Sequence, residues 1–104
     1  METRTLRYFL AIAREENMTT AANTLHVSQS ALSRQMADLE NELGRQLFFR
    51  TNRQTLLTED GMRLRQRAEE IIALIEKTEM NLHHPRKRSL ERFILGLEKP
   101  KHSV

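Results

Sequence analysis

Gln29, Ser30, Ser33, Arg34 and Ala37 share one arc of a helical wheel, apart from a stripe of Leu32, Met36, Leu39 and Leu43. A Gln amide can bond adenine through two atoms. An Arg guanidinium can grip guanine or a phosphate, and Ser and Ala can contact base edges and methyl groups. A helix anchored on its apolar side and carrying these groups on the other is suited to reading DNA in the major groove, where its N-terminal residues go deepest. On the helix alone, an ordinary solvated face accounts for the pattern equally well. Arg50 and Arg53 add weight to the first reading. They flank a tight polar tip, from which they could enter a minor groove or clasp phosphate. A solvated hairpin is the plainer alternative. Arg4 and Arg7 could add backbone contacts or serve as surface charges.

The elements that must position these residues can be read in order. Leu6, Phe9, Leu10 and Ala13 recur at helical spacing and predict a first helix from Thr3 to Glu16, with Asn17 as its stop. Thr19 then reads as an N-cap, its hydroxyl accepting from an unpaired backbone N–H. A short second helix follows, Thr20 to Leu25, in which Ala21 and Ala22 let a crossing helix approach closely. His26-Val27-Ser28 forms the turn, with Val27 plugging the gap between helices and Ser28 as a second N-cap. The third helix spans Gln29 to Leu43, and Gly44 sits where a left-handed residue would end it.

The next stretch changes character. Leu47-Phe48-Phe49-Arg50 and Thr55-Leu56-Leu57 are short β-prone segments around a polar turn, in which Asn52 tolerates left-handed backbone angles. They predict a small hairpin, a wing. An isolated hairpin is barely stable, so it must pack on the helices through Leu47, Phe48 and Leu56. Thr58-Glu59-Asp60 restarts a helix, an N-cap followed by two acids near the positive dipole end. This fourth helix runs from Glu59 to His83 and is terminated by Pro85.

Bulk properties bound the class. With 104 residues the chain is one domain, or one domain plus an appendage. Three Gly and two Pro favour helices over a many-turned β fold, and a core with four Phe, one Tyr and no Trp must rest mainly on Leu, Ile, Met and Ala. The absence of Cys excludes a disulfide framework and thiolate metal sites. Arg4, Arg7 and Arg14 interrupt any signal-peptide core, and no run is long enough to span a bilayer. The expected compartment is the cytoplasm, with no membrane association. The net charge is +3, but residues 1–58 carry seven basic and six acidic side chains, and residues 83–104 carry six and two. Basicity therefore lies mostly in the tail, and DNA binding has to be argued from where charges sit.

No chemistry of catalysis is visible. His83 and His84 are adjacent and have no partner three or four residues away, so they make a poor metal site. No Ser/His/Asp set, glycine-rich phosphate loop or spaced carboxylate pair occurs. No catalytic residue, metal or cofactor is expected. The fourth helix carries Leu64, Ala68, Ile71, Ile72, Ile75 and Leu82 along one side. At roughly 24 residues it would be roughly 36 Å long, more than the domain behind it can cover. A second copy could cover Leu64, Ala68, Ile71, Ile72 and Ile75, giving a homodimer. The same face allows a higher oligomer. Arg86-Lys87-Arg88 and the apolar run Phe93-Ile94-Leu95 read as a basic tail that is either loosely ordered or in contact with DNA backbone, a partner or an anionic surface.

Together, Leu6-Arg7-Tyr8-Phe9, Ala21-Ala22, Leu25 to Gln35, Leu39-Glu40, Leu43-Gly44, Leu47-Phe48 and Leu57 to Gly61 resemble the N-terminal winged helix-turn-helix of LysR-type transcriptional regulators. The resemblance covers residues 1–82 and is most specific from Ala21 to Phe48. It implies a mainly α fold: three helices plus a small β-hairpin over residues 1–58 and a long dimerisation helix over 59–83; the basic tail over 84–104 is read from its charges alone. It implies that Gln29, Ser33 and Arg34 read the major groove and that Arg50 and Arg53 approach the minor groove or backbone. Thr19, Thr20 and Ser28 would contact phosphate. Ser30 stands where the family usually has Pro, which adds a donor to the reading face. Family members continue into a large α/β effector-binding domain. Residues 84–104 do not resemble its opening strand, so no small-molecule effector site is expected in this chain. The function expected is that of a sequence-specific DNA-binding transcriptional regulator, acting on double-stranded DNA as a dimer on a roughly two-fold operator. The alternative is a protein-interaction module that pairs with a full-length relative as a heterodimer and modulates it.

Overall fold

The structure is a computed structural model and describes residues 1–83. The basic tail, with Arg86-Lys87-Arg88 and the apolar run Phe93-Ile94-Leu95, lies outside the described residues. Four helices and one hairpin follow in the order α1 (Thr3–Glu15), α2 (Met18–Leu25), α3 (Gln29–Leu43), β1 (Phe48–Arg50), β2 (Thr55–Leu57) and α4 (Glu59–His83). The strands are antiparallel, pairing Phe48 with Leu57, Phe49 with Leu56 and Arg50 with Thr55. Contacts divide the chain into a compact unit, Met1–Ala73, and a second that begins at Leu74.

The helix ends follow local chemistry. Ser28 Oγ accepts from Ala31 N at 3.1 Å and starts α3. Gly44 takes φ 67° and ends it, a backbone region open to Gly at little cost. Thr58 Oγ1 accepts from Gly61 N at 3.0 Å and caps α4, with Glu59 and Asp60 in its first turn. The corner between α1 and α2 differs from expectation. α1 stops at Glu15, and Glu16 adopts a left-handed conformation while its N–H bonds Ile12 O. Asn17, not Thr19, is the N-cap of α2, with its side chain accepting from Thr20 N at 2.8 Å. Asn17 gains a second bond there, because its Nδ2 donates to Arg53 O at 3.5 Å. α2 therefore begins at Met18, and Thr19 lies inside its first turn.

The core of the first unit joins every element. Leu6, Phe9, Ala11 and Ile12 from α1 pack with Met18, Ala21 and Ala22 from α2 and Leu32, Met36 and Leu39 from α3. Leu47 and Phe48 carry the wing into this cluster, and Phe48 tilts against Phe9 at a centroid distance of 5.4 Å. On β2 the inward residues are Thr55, which is buried, and Leu57; Leu56, expected to pack inward, instead pairs across the hairpin with the exposed Phe49. A three-residue strand is too short for its alternation to be read from sequence, and a one-residue slip swaps its faces.

α4 contributes Ala68 and Ile72 to the same core. The first half of this helix is therefore part of the compact unit rather than an appendage to it. Gly61 sits where α4 leaves the hairpin. A Cβ there would collide with the Leu47 carbonyl oxygen and crowd Leu57 Cδ2. That carbonyl cannot withdraw freely, because it accepts from Thr58 N at 2.9 Å. At Gly44 a Cβ would meet nothing within 4 Å. Gly61→Ala is therefore expected to lower the unfolding free energy by about 1–3 kcal/mol through overpacking. Gly44→Ala should cost only the left-handed backbone penalty, about 1–2 kcal/mol. Urea unfolding of the two variants checks the order.

Candidate nucleic-acid interface

α3 places its two faces as its periodicity requires. Leu32, Met36 and Leu39 are fully buried, while Gln29, Ser30, Arg34 and Ala37 are exposed and Ser33 is half-buried. The five outward residues and Arg50 line one open groove. Arg34 is exposed on this groove and makes no hydrogen bond or ion pair among the described residues, so its five donors are unengaged. A second cleft runs between the start of α3 and the wing and brings Thr19, Gln29 and Ser33 opposite Arg50 and Arg53.

Hydrogen bonds fix the side chains around this cleft. Thr19 Oγ1 donates to Gln29 Oε1 at 3.0 Å, linking α2 to the first residue of α3. Arg50 Nη1 donates to Ser33 Oγ at 3.1 Å, linking the wing to α3. Ser28 and Ser30 hydroxyls lie 3.3 Å apart. Thr20 and Ser28 are exposed at the starts of α2 and α3, where helix-start amides and hydroxyls can meet an anion. The wing tip owes its shape to Thr51. Its hydroxyl accepts from Gln54 N at 3.0 Å and donates to Gln54 O at 3.2 Å, closing the turn. Asn52 is not left-handed; the described residues with positive φ, Gly aside, are Glu16 and His26.

The wing is held to the helices at both ends. Thr55 N donates to Glu16 O at 3.0 Å, beside the Asn17–Arg53 bond. At the other end Glu40, on the C-terminal half of α3, accepts from Leu47 N at 2.8 Å and Phe48 N at 3.3 Å through one carboxylate oxygen. Glu40 positions the wing against α3, a role that pattern reading missed. In the sequence it enters only beside Leu39, as part of the family resemblance and with no role of its own, and nothing in its helix signals two amide donors from a later strand.

Of the residues expected on a pairing face, Ala68 and Ile72 are buried within the first unit's own core, Leu64 and Ile75 are half-buried, and Ile71 is 40% exposed. Ala68 and Ile72 are buried, while Met62, Ile71, Leu74, Met80 and Leu82 are apolar side chains left open on α4. Among the described residues no helix is long and apolar enough to cross a membrane, and no group of three or more His, Asp or Glu is placed to hold a metal ion.

A three-helix unit with its third helix outward and a hairpin beside it is a winged helix-turn-helix. Residues 3–62 match the family model described as bacterial regulatory helix-turn-helix protein, lysR family, and the chain belongs to that family. The family is one of DNA-binding domains of transcriptional regulators, not of enzymes. The chain is 47% identical over 77 residues to the HTH-type transcriptional regulator BsdA of Bacillus subtilis (strain 168), covering 73% of this chain and 27% of that protein. It is 49% identical over 74 residues to the HTH-type transcriptional regulator BudR of Klebsiella aerogenes, covering 71% and 52%. The chain thus spans between about a quarter and about half the length of these relatives. Among solved structures, the DNA-binding domain of CbnR in complex with DNA superposes with a TM-score of 0.76 at 38% identity, covering 88% of this chain and 99% of that one. The BenM DNA-binding domain in complex with the catB site 1 DNA gives 0.76 at 38% identity, covering 79% and 91%.

Removing the Glu40 carboxylate strands two amides at the base of the wing. Glu40→Ala is expected to lower stability by about 1–3 kcal/mol, the usual cost of losing hydrogen bonds to a charged acceptor. Glu40→Gln, which keeps one acceptor oxygen, should lose less. Chemical denaturation of both variants measures the difference.

Proposed function

We propose that this chain is a sequence-specific DNA-binding regulator, with α3 entering the major groove of double-stranded DNA and the wing following the adjacent backbone or minor groove. The observation that carries this reading is the outward face of α3. Gln29, Ser30, Ser33, Arg34 and Arg50 line one groove directly above a fully packed apolar anchor. The similarity to domains solved with DNA supports it. Gln29, Ser33 and Arg34 read base edges, and Ser30 adds a donor beside them. Thr20 and Ser28 meet phosphate, together with Arg50 and Arg53. The site of action is the cytoplasm.

The active unit is a homodimer paired through α4. Ile71 is the exposed member of the expected set, with Ala68 and Ile72 shaping the face from beneath and Leu64 and Ile75 at its edge. Two recognition helices then meet half-sites about one helical turn, or a multiple of it, apart. The open apolar side chains of α4 also favour a second reading, in which the chain pairs with a full-length relative and modulates it. Sedimentation of the purified chain distinguishes the two: a self-associated species at micromolar concentration supports the homodimer, and a monomer contradicts it.

Fluorescence anisotropy against selected and random duplexes tests DNA reading. Affinity should fall steeply with salt, by a log–log slope of about −0.9 per phosphate contact. Arg34→Ala should cost about 1–3 kcal/mol on the selected duplex and little on random DNA. Equal losses on both would remove Arg34 from the base readers, and salt-insensitive or absent binding would favour the protein-interaction reading.

A further inference from the structure

The groove on α3 and the cleft beside the wing meet along Gln29, Ser33 and Arg50, which line both. Arg50 belongs to β1, yet its guanidinium ends on α3, where Nη1 donates to Ser33 Oγ at 3.1 Å. The backbone at Arg50 is fixed. It pairs with Thr55 across the hairpin, and Thr55 is buried with its N–H on Glu16 O. Arg53 differs. It lies between the strands, its carbonyl oxygen accepts from Asn17 Nδ2, and it lines the cleft by the wing but not the groove on α3. The two wing arginines therefore stand in different relations to α3.

A guanidinium carries five donors in a rigid fork. One donor on Ser33 leaves four, so Arg50 can hold the serine and meet a phosphate at the same time. The serine gains a fixed place. Its χ1 has three staggered wells, and leaving the observed one carries Oγ away from Arg50. A helical serine left to itself can instead bond the carbonyl four residues back. The bond from Arg50 takes one of the two lone pairs of Oγ, so the Ser33 hydroxyl keeps a proton and a lone pair for a base edge.

We infer that Arg50 is a positioning residue for Ser33, tying base reading by α3 to backbone contact by the wing. This rests on the reading of α3 as the DNA-reading helix. A Ser33 hydroxyl held in place before DNA arrives lowers the ordering cost of its base contact. Where the base does not match, that order gains nothing, and charge sets the affinity. Arg50 thus acts twice on a matched site, through phosphate and through Ser33. Arg53 has no such hold on α3.

A double-mutant cycle tests this, using the full chain and its Ser33→Ala, Arg50→Ala and doubly substituted variants. Each is titrated on a duplex that the unmodified chain selects from a random pool, and on random duplexes. On random DNA, Arg50→Ala should weaken binding by the same factor with or without Ser33 and lower the salt slope by about 0.9. On the selected duplex it should weaken binding about threefold further, the loss of one fixed χ1 well among three. That extra factor should be the same at low and high salt, because no counterion release accompanies it, and should vanish in the Ser33→Ala background. Arg53→Ala should show no dependence on Ser33. Arg50 is exposed, so its truncation leaves the core intact. A purely structural role for Arg50 would weaken both kinds of duplex alike. Equal factors on the two, or an extra factor that survives Ser33→Ala, overturns the inference while DNA reading stands. A pool that the unmodified chain does not enrich overturns DNA reading itself, and the inference with it.

Discussion

The two hydrogen bonds that Glu40 accepts from Leu47 and Phe48 are the constraint on which the outward face depends. Each strand of the wing has only three residues, and such a hairpin does not hold its shape alone in water. The bonds from Glu40 place the start of β1 against α3 and turn Phe48 onto Phe9. The Leu47 carbonyl then accepts from Thr58 and closes against Gly61, so α4 starts from the same point. At the far end, Glu16 and Asn17 hold the return strand. α3 and the wing are thereby fixed to each other, and Arg50 reaches Ser33.

This coupling gives the polar face its chemistry as well as its place. Exposed polar side chains on an isolated helix would sample many rotamers. Here Gln29 and Ser33 each have one hydrogen-bonding atom committed to a neighbouring element. Their remaining groups are presented in a defined sense before any partner arrives, which lowers the ordering cost of binding. Arg34 and Arg53 are left as long, exposed cations that can adapt to phosphate or base.

What was legible in the sequence was local. The stripe from Leu32 to Leu43 defines α3 because its spacing repeats over three turns, and Gly44 and Thr58 mark ends with chemistry that needs no distant partner. The cap of α2 was not legible. Asn17, Thr19 and Thr20 are all competent caps, and the choice falls to Asn17, which also reaches Arg53 in the wing. Thr55 and Leu57 face inward rather than Leu56 because docking, not alternation, sets the register of so short a strand. The apolar side of α4 could be read as one face, yet the fold divides it, burying Ala68 and Ile72 and leaving Ile71 open. The residues proposed to read DNA were visible by type and position; the bonds that hold them and the wing, from Thr19, Arg50 and Glu40, cross between elements and have no periodicity.

The central claim is that the outer face of α3 and the wing together meet DNA. Amide chemical-shift mapping of the labelled chain, titrated with a short duplex at low salt, tests it most directly. The account predicts shifts concentrated at Gln29, Ser30, Ser33, Arg34 and Ala37 and in the wing from Arg50 to Gln54, with α4 beyond Ile71 unaffected. Shifts confined to α4, with α3 and the wing silent, would contradict it.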